Sequence, residues 1–142
     1  LMLGGVEVPS ELGELGHSDG DALFHAIVDA MLGAVAAGDI GRHFPPSDPR
    51  WKDAPSRLFV ERAAEILAGS GWRVVNVDAT VVLERPRLAP LADDIRASVA
   101  DALGLSVGAV SVKAKTREGL GDVGRSEAVE AQAIVLVERL EP

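Results

Sequence analysis

HSDGDALFHAIVDAMLGAVAA, residues 17–37, is the stretch that decides the fold. From Asp21 onward its apolar side chains recur every three or four residues, which is the spacing of one face of an α-helix. We therefore predict a helix over residues 21–37, capped by Ser18 or Asp19 and stopped by Gly38. Its apolar face must pack against a partner layer, and the members of that face are Phe24, Ile27, Val28, Met31, Leu32 and Val35.

Strand and helix patterns alternate along the rest of the chain. Strands are predicted over residues 1–9, 72–83 and 110–116, and helices over residues 56–68, with Ser56 as cap, and 91–103. Residues 38–55 form a long polar connection, and residues 128–140 fit a helix or a strand, with β-branched content favouring the strand. The resulting order predicts an α/β (α+β) fold, a two-layer sandwich of a four-stranded mixed sheet with three helices on one face.

Length and composition exclude several classes of protein. The chain has 142 residues, 47% apolar residues, a formal net charge of −8 and no cysteine. This length suits one domain over residues 1–142, and the lack of cysteine excludes disulfides and thiolate metal sites. An acidic chain without an apolar run of membrane-spanning length predicts a cytoplasmic protein that binds neither nucleic acid nor membrane. The abrupt start leads us to expect further residues before Leu1.

One polar stripe interrupts the first helix. Asp21, His25 and Asp29 are spaced four residues apart, so they share one helix face. An imidazole between carboxylates is typical of a metal ligand with its supporting groups, and the helix start could also hold a phosphate. The alternative is a capped helix whose histidine is merely exposed or is satisfied in the core, and the spacing by itself leaves both open.

Three further segments could carry chemistry, and each has a plain structural alternative. Gly38–Gly41 with Phe44–Asp48 suits polyol hydroxyls, or is a helix stop and a turn. Leu83–Ala89 could offer backbone groups to a base and Arg85 and Arg87 to phosphates, or is a solvated turn. The cations after residue 112, Lys113, Lys115, Arg117 and Arg125, favour an anionic ligand, or protect an edge strand. Together the segments favour metal-assisted phosphoryl transfer.

These residues closely resemble the 2-C-methyl-D-erythritol 2,4-cyclodiphosphate synthase family from Leu3 to about Val137. The resemblance is carried by HSDGD with His25, by GDIG with Phe44-Pro45, by Asn76-Val77-Asp78 with Arg85-Pro86-Arg87, and by Val112-Lys113-Ala114 through Gly124-Arg125. It implies a bacterial lyase of the non-mevalonate isoprenoid pathway, acting as a homotrimer with sites between adjacent subunits. It also implies that 4-diphosphocytidyl-2-C-methyl-D-erythritol 2-phosphate is cyclised with release of CMP.

The resemblance also assigns roles to residues. His25 would bind Zn²⁺ or another divalent transition metal, Mg²⁺ or Mn²⁺ would bridge the diphosphate, and His17 and Thr116 would stabilise the transition state. Substrate binding falls to His17, Ser18, Asp39, Ile40, Gly41, Phe44, Pro45, Pro46, Ser47, Asp48, Asp122 and Arg125. Nucleotide binding falls to Leu83, Glu84, Arg85, Pro86, Arg87, Leu88, Ala89, Lys115, Thr116, Arg117 and Glu118.

The chain departs from the family pattern at three places. The Asp-x-His pair that supplies two further metal ligands would precede Leu1, Lys115 and Arg117 replace the usual threonines, and Asp122 stands where an aromatic residue is common. Two other functions therefore stay open. One is a non-catalytic trimer that binds cytidine nucleotides, and the other is a metal-dependent phosphohydrolase with a linear product.

Overall fold

A computed structural model describes residues 1–10 and 19–141. The helices are α1 (Ala22–Ala34), α2 (Ile40–His43), α3 (Ser56–Gly69), α4 (Ala92–Leu103) and α5 (Gly121–Gly124). The strands are β1 (Met2–Leu3), β2 (Val6–Glu7), β3 (Trp72–Val82), β4 (Val110–Lys115) and β5 (Glu130–Arg139). Short 3₁₀ turns lie at Pro49–Trp51, Ala89–Leu91 and Val107–Ala109.

The main sheet is mixed, as predicted. Strand β3 lies in the centre, parallel to β4 and antiparallel to β5. Along β3, Val77, Ala79 and Val81 are buried, and they alternate with polar residues on the opposite face. Helices α1, α3 and α4 pack on the buried face, so the core lies between one helical layer and one sheet layer.

The prediction of one strand over residues 1–9 and of a four-stranded sheet is wrong for the described residues. The chain reverses at Gly4 and Gly5, whose φ angles are +60° and +80°, so β1 and β2 form a separate antiparallel hairpin. Two glycines between short strands favour this reversal, because both positions need the left-handed backbone. The main sheet therefore contains three strands among the residues that the structure covers.

Element boundaries also differ in places. Helix α1 ends at Ala34 rather than Ala37, and its N-cap is Asp21 rather than Ser18 or Asp19. The connection over residues 38–55 contains α2 and a 3₁₀ turn, and α3 is preceded by Pro55 as cap, with Ser56 inside the helix. The last segment is a strand, as its β-branched content predicted.

The face of the sheet turned away from the helices is open. On β5, Ile134 is 73% exposed and Leu136 is 58% exposed. In the register of the sheet these residues lie opposite Asp78 and Asn76 of β3. None of the helices formed by the described residues is long and apolar enough to cross a membrane.

Candidate active site

The amino end of α1 is fixed by the buried side chain of Asp21. Its carboxylate accepts backbone N–H groups from Phe24 at 2.9 Å, Gly4 at 2.9 Å and Gly5 at 2.7 Å. Burial raises the pKa of this carboxyl, and the three N–H donors oppose the rise. Asp21 therefore caps the helix and ties the hairpin to it, so it does not join His25 in a ligand stripe as the spacing suggested.

His25 lies one helical turn further along, half-buried, and it is held from the side of α3. Its Nε2 is 2.8 Å from Oγ of Ser56, a fully buried hydroxyl in the first turn of α3. The same hydroxyl donates to the Asp19 carboxylate, which also accepts the Ser56 backbone N–H at 2.9 Å. Asp19, Ser56 and His25 therefore form one chain of hydrogen bonds that fixes the imidazole plane.

The direction of these hydrogen bonds determines which nitrogen of the His25 ring carries the proton. A hydroxyl has one proton, and Ser56 gives it to Asp19, so Nε2 of His25 must be the donor in the His25–Ser56 bond. A neutral imidazole that donates through Nε2 has its lone pair on Nδ1. Metal-binding histidines are usually held in this way, with the second ring nitrogen donating to a neighbouring group. The donor set at His25 thus fits a divalent transition metal.

A complete metal site is not formed by the described part of the chain. No cluster of three His, Cys, Asp or Glu side chains within residues 1–10 and 19–141 could hold a metal ion. His17 and Ser18, predicted to contact the reacting phosphates, lie outside the described residues. His25 is therefore the predicted ligand that the structure places in a suitable environment.

The Gly38–Gly41 turn is held by carboxylates from two sides. Oδ1 of Asp29, on α1, accepts the Ile40 N–H at 2.8 Å. Oδ1 of Asp39 accepts the Arg42 N–H at 3.0 Å and so caps α2. Asp39 is exposed, so its carboxylate is accessible to hydroxyl groups of a ligand while its backbone stays fixed. Asp29, which the spacing placed beside a metal, holds this turn instead.

An aromatic cluster continues from the turn. The ring of Phe44 stacks on Phe59 at 4.8 Å between centroids and meets Trp51 edge-on at 5.2 Å. Phe59 also lies 6.0 Å from the His25 ring, so the cluster connects the Phe44–Asp48 loop with the histidine. Pro45 and Asp48 are half-buried and Pro46 and Ser47 are exposed, so these predicted residues form the surface of the loop.

Trp51 belongs to this aromatic cluster and was not predicted from the sequence. Its side chain is only 8% exposed, and its indole N–H has no hydrogen-bond partner among the described residues. A tryptophan in a polar, proline-rich connection was the available signal, because such a side chain needs a partner surface. Beside it, the hydrogen bond and charge of Arg50 lower the pKa of Asp48, which caps the 3₁₀ turn.

A second cluster joins the ends of the parallel strands β3 and β4. The Leu83 N–H donates to the Lys115 carbonyl at 2.9 Å. The Glu84 carboxylate accepts the backbone N–H groups of Arg117 and Gly119, each at 3.1 Å. The structure thus brings together the Leu83–Ala89 and Lys115–Glu118 segments, which are more than 25 residues apart in the sequence.

The exposed groups of this second cluster suit a phosphate ligand. Arg85, Arg87 and Lys115 are exposed and make no ion pair with any residue of the described segments. Oγ1 of Thr116 accepts the Glu118 N–H at 3.2 Å, which leaves its hydroxyl proton for another acceptor. Arg117 differs, since its guanidinium pairs with Glu130 at 2.7 Å. Leu83 and Leu88 are buried and anchor the first loop in the core.

Asp122 and Arg125 form an ion pair across α5, and Arg125 also pairs with Glu127 at 3.3 Å. Both partners are more than half exposed, so water screens the pair. Gly124 packs so closely on Gly119 that a Cβ at Gly124 would overlap the Gly119 carbonyl carbon.

Comparisons with known proteins agree on one family. A profile of the YgbB family matches residues 1–138. A curated relative from Dechloromonas aromatica, named 2-C-methyl-D-erythritol 2,4-cyclodiphosphate synthase, is 59% identical over 140 residues, which is 99% of this chain and 88% of the relative.

Solved structures agree with the sequence comparison. A 2C-methyl-D-erythritol-2,4-cyclodiphosphate synthase in its CDP-bound form has a TM-score of 0.90 and 36% identity, covering 97% of this chain and 89% of that chain. The bifunctional IspDF from Campylobacter jejuni has a TM-score of 0.94 and 33% identity over 99% of this chain. This chain spans only 38% of the bifunctional protein.

Proposed function

This chain belongs to the YgbB family, and on that premise we propose that it converts 4-diphosphocytidyl-2-C-methyl-D-erythritol 2-phosphate to the 2,4-cyclodiphosphate and CMP. The family predicted from HSDGD, GDIG and the KAKTREGLG segment is confirmed, and so is the cyclodiphosphate-forming function that it implied. The observation that carries the proposal is the junction of Leu83–Ala89 with Lys115–Glu118 at the ends of two parallel strands.

The reaction needs no nucleophile from the protein. An oxygen of the 2-phosphate attacks the β-phosphorus, a new P–O bond closes the ring, and the bond from the β-phosphorus to the bridging oxygen breaks. That oxygen keeps the electron pair and leaves with CMP. The protein therefore has to hold both ends of the substrate close together and to stabilise the negative charge that develops.

The second cluster holds the cytidine end in this proposal. Backbone groups of Leu83–Ala89 contact the base and ribose, and Lys115–Glu118 contact the phosphates. The accessible cations in this region support the assignment, because the chain as a whole carries a net charge of −8. The Thr116 hydroxyl donates a hydrogen bond to the oxygen on which negative charge develops. It can do so because its oxygen accepts the Glu118 N–H, and this bond does not use the hydroxyl proton.

The Gly38–Gly41 turn and the Phe44–Asp48 loop hold the methylerythritol end in this proposal. Asp39, Ile40 and Gly41 bind the hydroxyl groups, with Phe44–Asp48 as the adjacent wall and Asp122 and Arg125 contacting the substrate. The exposed carboxylate of Asp39 on a fixed turn supports this assignment. His17 and Ser18 complete the phosphate contacts in the proposal.

His25 would hold Zn²⁺ or another divalent transition metal, and the resemblance assigns the remaining protein ligands to an Asp-x-His pair. When bound, such a cation supplies positive charge that polarises a phosphate oxygen, and Mg²⁺ or Mn²⁺ does the same at the diphosphate. The residues of this chain contribute orientation, because Ser56 and Asp19 keep the imidazole of His25 in one plane.

The active assembly in this proposal is a homotrimer in the bacterial cytoplasm, with each site shared by adjacent subunits. Its support is the open sheet face, where Ile134 and Leu136 leave large apolar side chains in water. Sites between subunits would also bring His25 of one protomer close to the second cluster, which carries Thr116, of its neighbour.

The deciding experiment measures turnover of the full-length protein with Zn²⁺ and Mg²⁺. Phosphorus NMR is expected to show the cyclic diphosphate together with CMP. Thr116→Val should lower kcat about a hundredfold, as loss of one transition-state donor does, while Thr116→Ser keeps the hydroxyl and most of the rate. A linear phosphate product would instead establish a hydrolase.

The alternative function is a cytidine-nucleotide-binding trimer, and its support is the junction of Leu83–Ala89 with Lys115–Glu118, which binds a nucleotide without needing a metal. In this case the trimer binds cytidine nucleotides without turning them over. Calorimetry with CDP would then show binding by the full-length protein while phosphorus NMR shows no product.

A further inference from the structure

The junction between the two nucleotide loops depends on one side chain. Glu84 follows β3, and its two carboxylate oxygens accept separate backbone N–H groups on the loop after β4. These donors belong to Arg117 and Gly119, on either side of Glu118, whose φ is +53°. A carboxylate that binds two amides in this way fixes a local backbone conformation that most residues rarely adopt.

The same short loop is held on its other side by close packing. Gly124 of α5 touches the backbone of Gly119 so tightly that no side chain fits between them. Within the loop, the Glu118 N–H donates to Oγ1 of Thr116 at 3.2 Å. The position of the Thr116 hydroxyl therefore follows from where the Arg117–Gly119 backbone is held, and Glu84 holds it.

We infer that the Glu84 side chain is a positioning residue for nucleotide binding, acting through the loop that carries Thr116. The inference rests on the proposed function, which uses only the backbone of Glu84. The Glu84 carboxylate acts separately from that backbone, because it fixes the phosphate-binding loop relative to the cytidine-binding loop. Because the loop is already ordered before the nucleotide binds, the contacts to the base and to the phosphates form together. This lowers the entropy cost of binding.

Because Glu84 is negatively charged, the change in CDP affinity on its removal distinguishes a positioning role from no role in binding. A carboxylate beside a phosphate site repels the ligand, so if Glu84 had no positioning role its removal would tighten CDP binding. If Glu84 positions the loop, its removal weakens CDP binding in spite of the lost repulsion. The two explanations predict opposite signs for one measurement.

The experiment compares Glu84→Ala and Glu84→Gln in the full-length protein, using CDP as the probe in calorimetry. The matched control is Glu65→Ala, which removes a glutamate whose 3.2 Å ion pair with Arg62 lies on the exposed surface of α3. Glu84→Ala is expected to raise the Kd for CDP about tenfold. Glu84→Gln keeps one acceptor and should raise it about threefold. The control should leave the Kd unchanged.

Two further readouts separate positioning from general destabilisation. Amide hydrogen exchange at Arg117 and Gly119 should speed up about tenfold in Glu84→Ala without nucleotide, while core amides keep their protection. In a Thr116→Val background, Glu84→Ala should change the Kd less than it does in the wild-type background, because the Thr116 hydroxyl is one of the contacts that Glu84 positions.

The outcomes distinguish this inference from the proposed function. If wild-type protein does not bind CDP, the proposed nucleotide site fails, and the positioning role fails with it. If wild-type protein binds CDP and Glu84→Ala binds equally well or more tightly, only the positioning role fails. The positioning role also fails if hydrogen exchange at the Arg117 and Gly119 amides is unchanged in Glu84→Ala. It fails as well if Glu84→Ala changes the Kd for CDP as much in the Thr116→Val background as in the wild-type protein.

Discussion

Asp21→Ala should destabilise the fold more than any single loss of a surface charge. The substitution removes the cap of α1 and the acceptor for two hairpin N–H groups. Loss of an N-cap costs about 1 kcal/mol. Gly4 is buried, so its N–H loses its partner without gaining water, which costs a further ~1–3 kcal/mol. Gly5 is exposed, and water can replace its lost bond.

The expected total is therefore about 2–4 kcal/mol of unfolding free energy. Urea unfolding followed by circular dichroism at one fixed protein concentration measures it, because self-association would otherwise shift the midpoint. The matched control is Asp93→Ala, also near a helix start, whose side chain is 95% exposed and which should cost less than about 1 kcal/mol. Equal midpoints for the two variants would refute the structural role given to Asp21.

Three other predictions test the metal site, the open sheet face and the Phe44–Asp48 loop. His25→Ala should abolish zinc retention by the full-length protein after dialysis, measured by atomic absorption, and retained zinc would remove His25 from the ligand set. Ile134→Asp or Leu136→Asp should shift the sedimentation coefficient from trimer to monomer, since a buried unpaired charge is costly in an apolar interface; an unchanged coefficient would place the interface elsewhere. Arg50→Ala should raise the pKa of Asp48 toward its ordinary value of 3.8, because the guanidinium that lowers it is gone, and an NMR titration of that carboxyl that shows no upward change would contradict the assignment.

The sign of the Asp48 effect on stability follows from its lowered pKa. A carboxyl whose folded-state pKa lies below 3.8 favours the folded state above that pH, and the benefit disappears as the pH falls through the folded-state pKa. Because the Arg50 side chain is 73% exposed, water screens its ion pair with Asp48 and the contribution is small. It should appear only in the acid range and should become smaller in the Arg50→Ala variant, which keeps only the backbone N–H of residue 50 as a donor to Asp48.

Local spacing determined the elements that the sequence predicted correctly. Helix α1 follows from apolar residues at three- and four-residue intervals, and β3 and β5 follow from β-branched runs. Each of these patterns is complete within about a dozen residues, so it can be recognised without knowing the rest of the fold. The family was determined in the same way, because HSDGD and GDIG are short motifs with fixed spacing.

The tertiary structure alone decided the roles of individual polar side chains. Asp21 reaches back 16 and 17 residues to the hairpin, and Glu84 reaches forward 33 and 35 residues to the loop after β4. A carboxylate has the same chemistry whether it faces a metal, a hydroxyl or a backbone amide. Which of these it faces depends on how distant segments close around the core, and residue spacing along the chain contains no information about that closure.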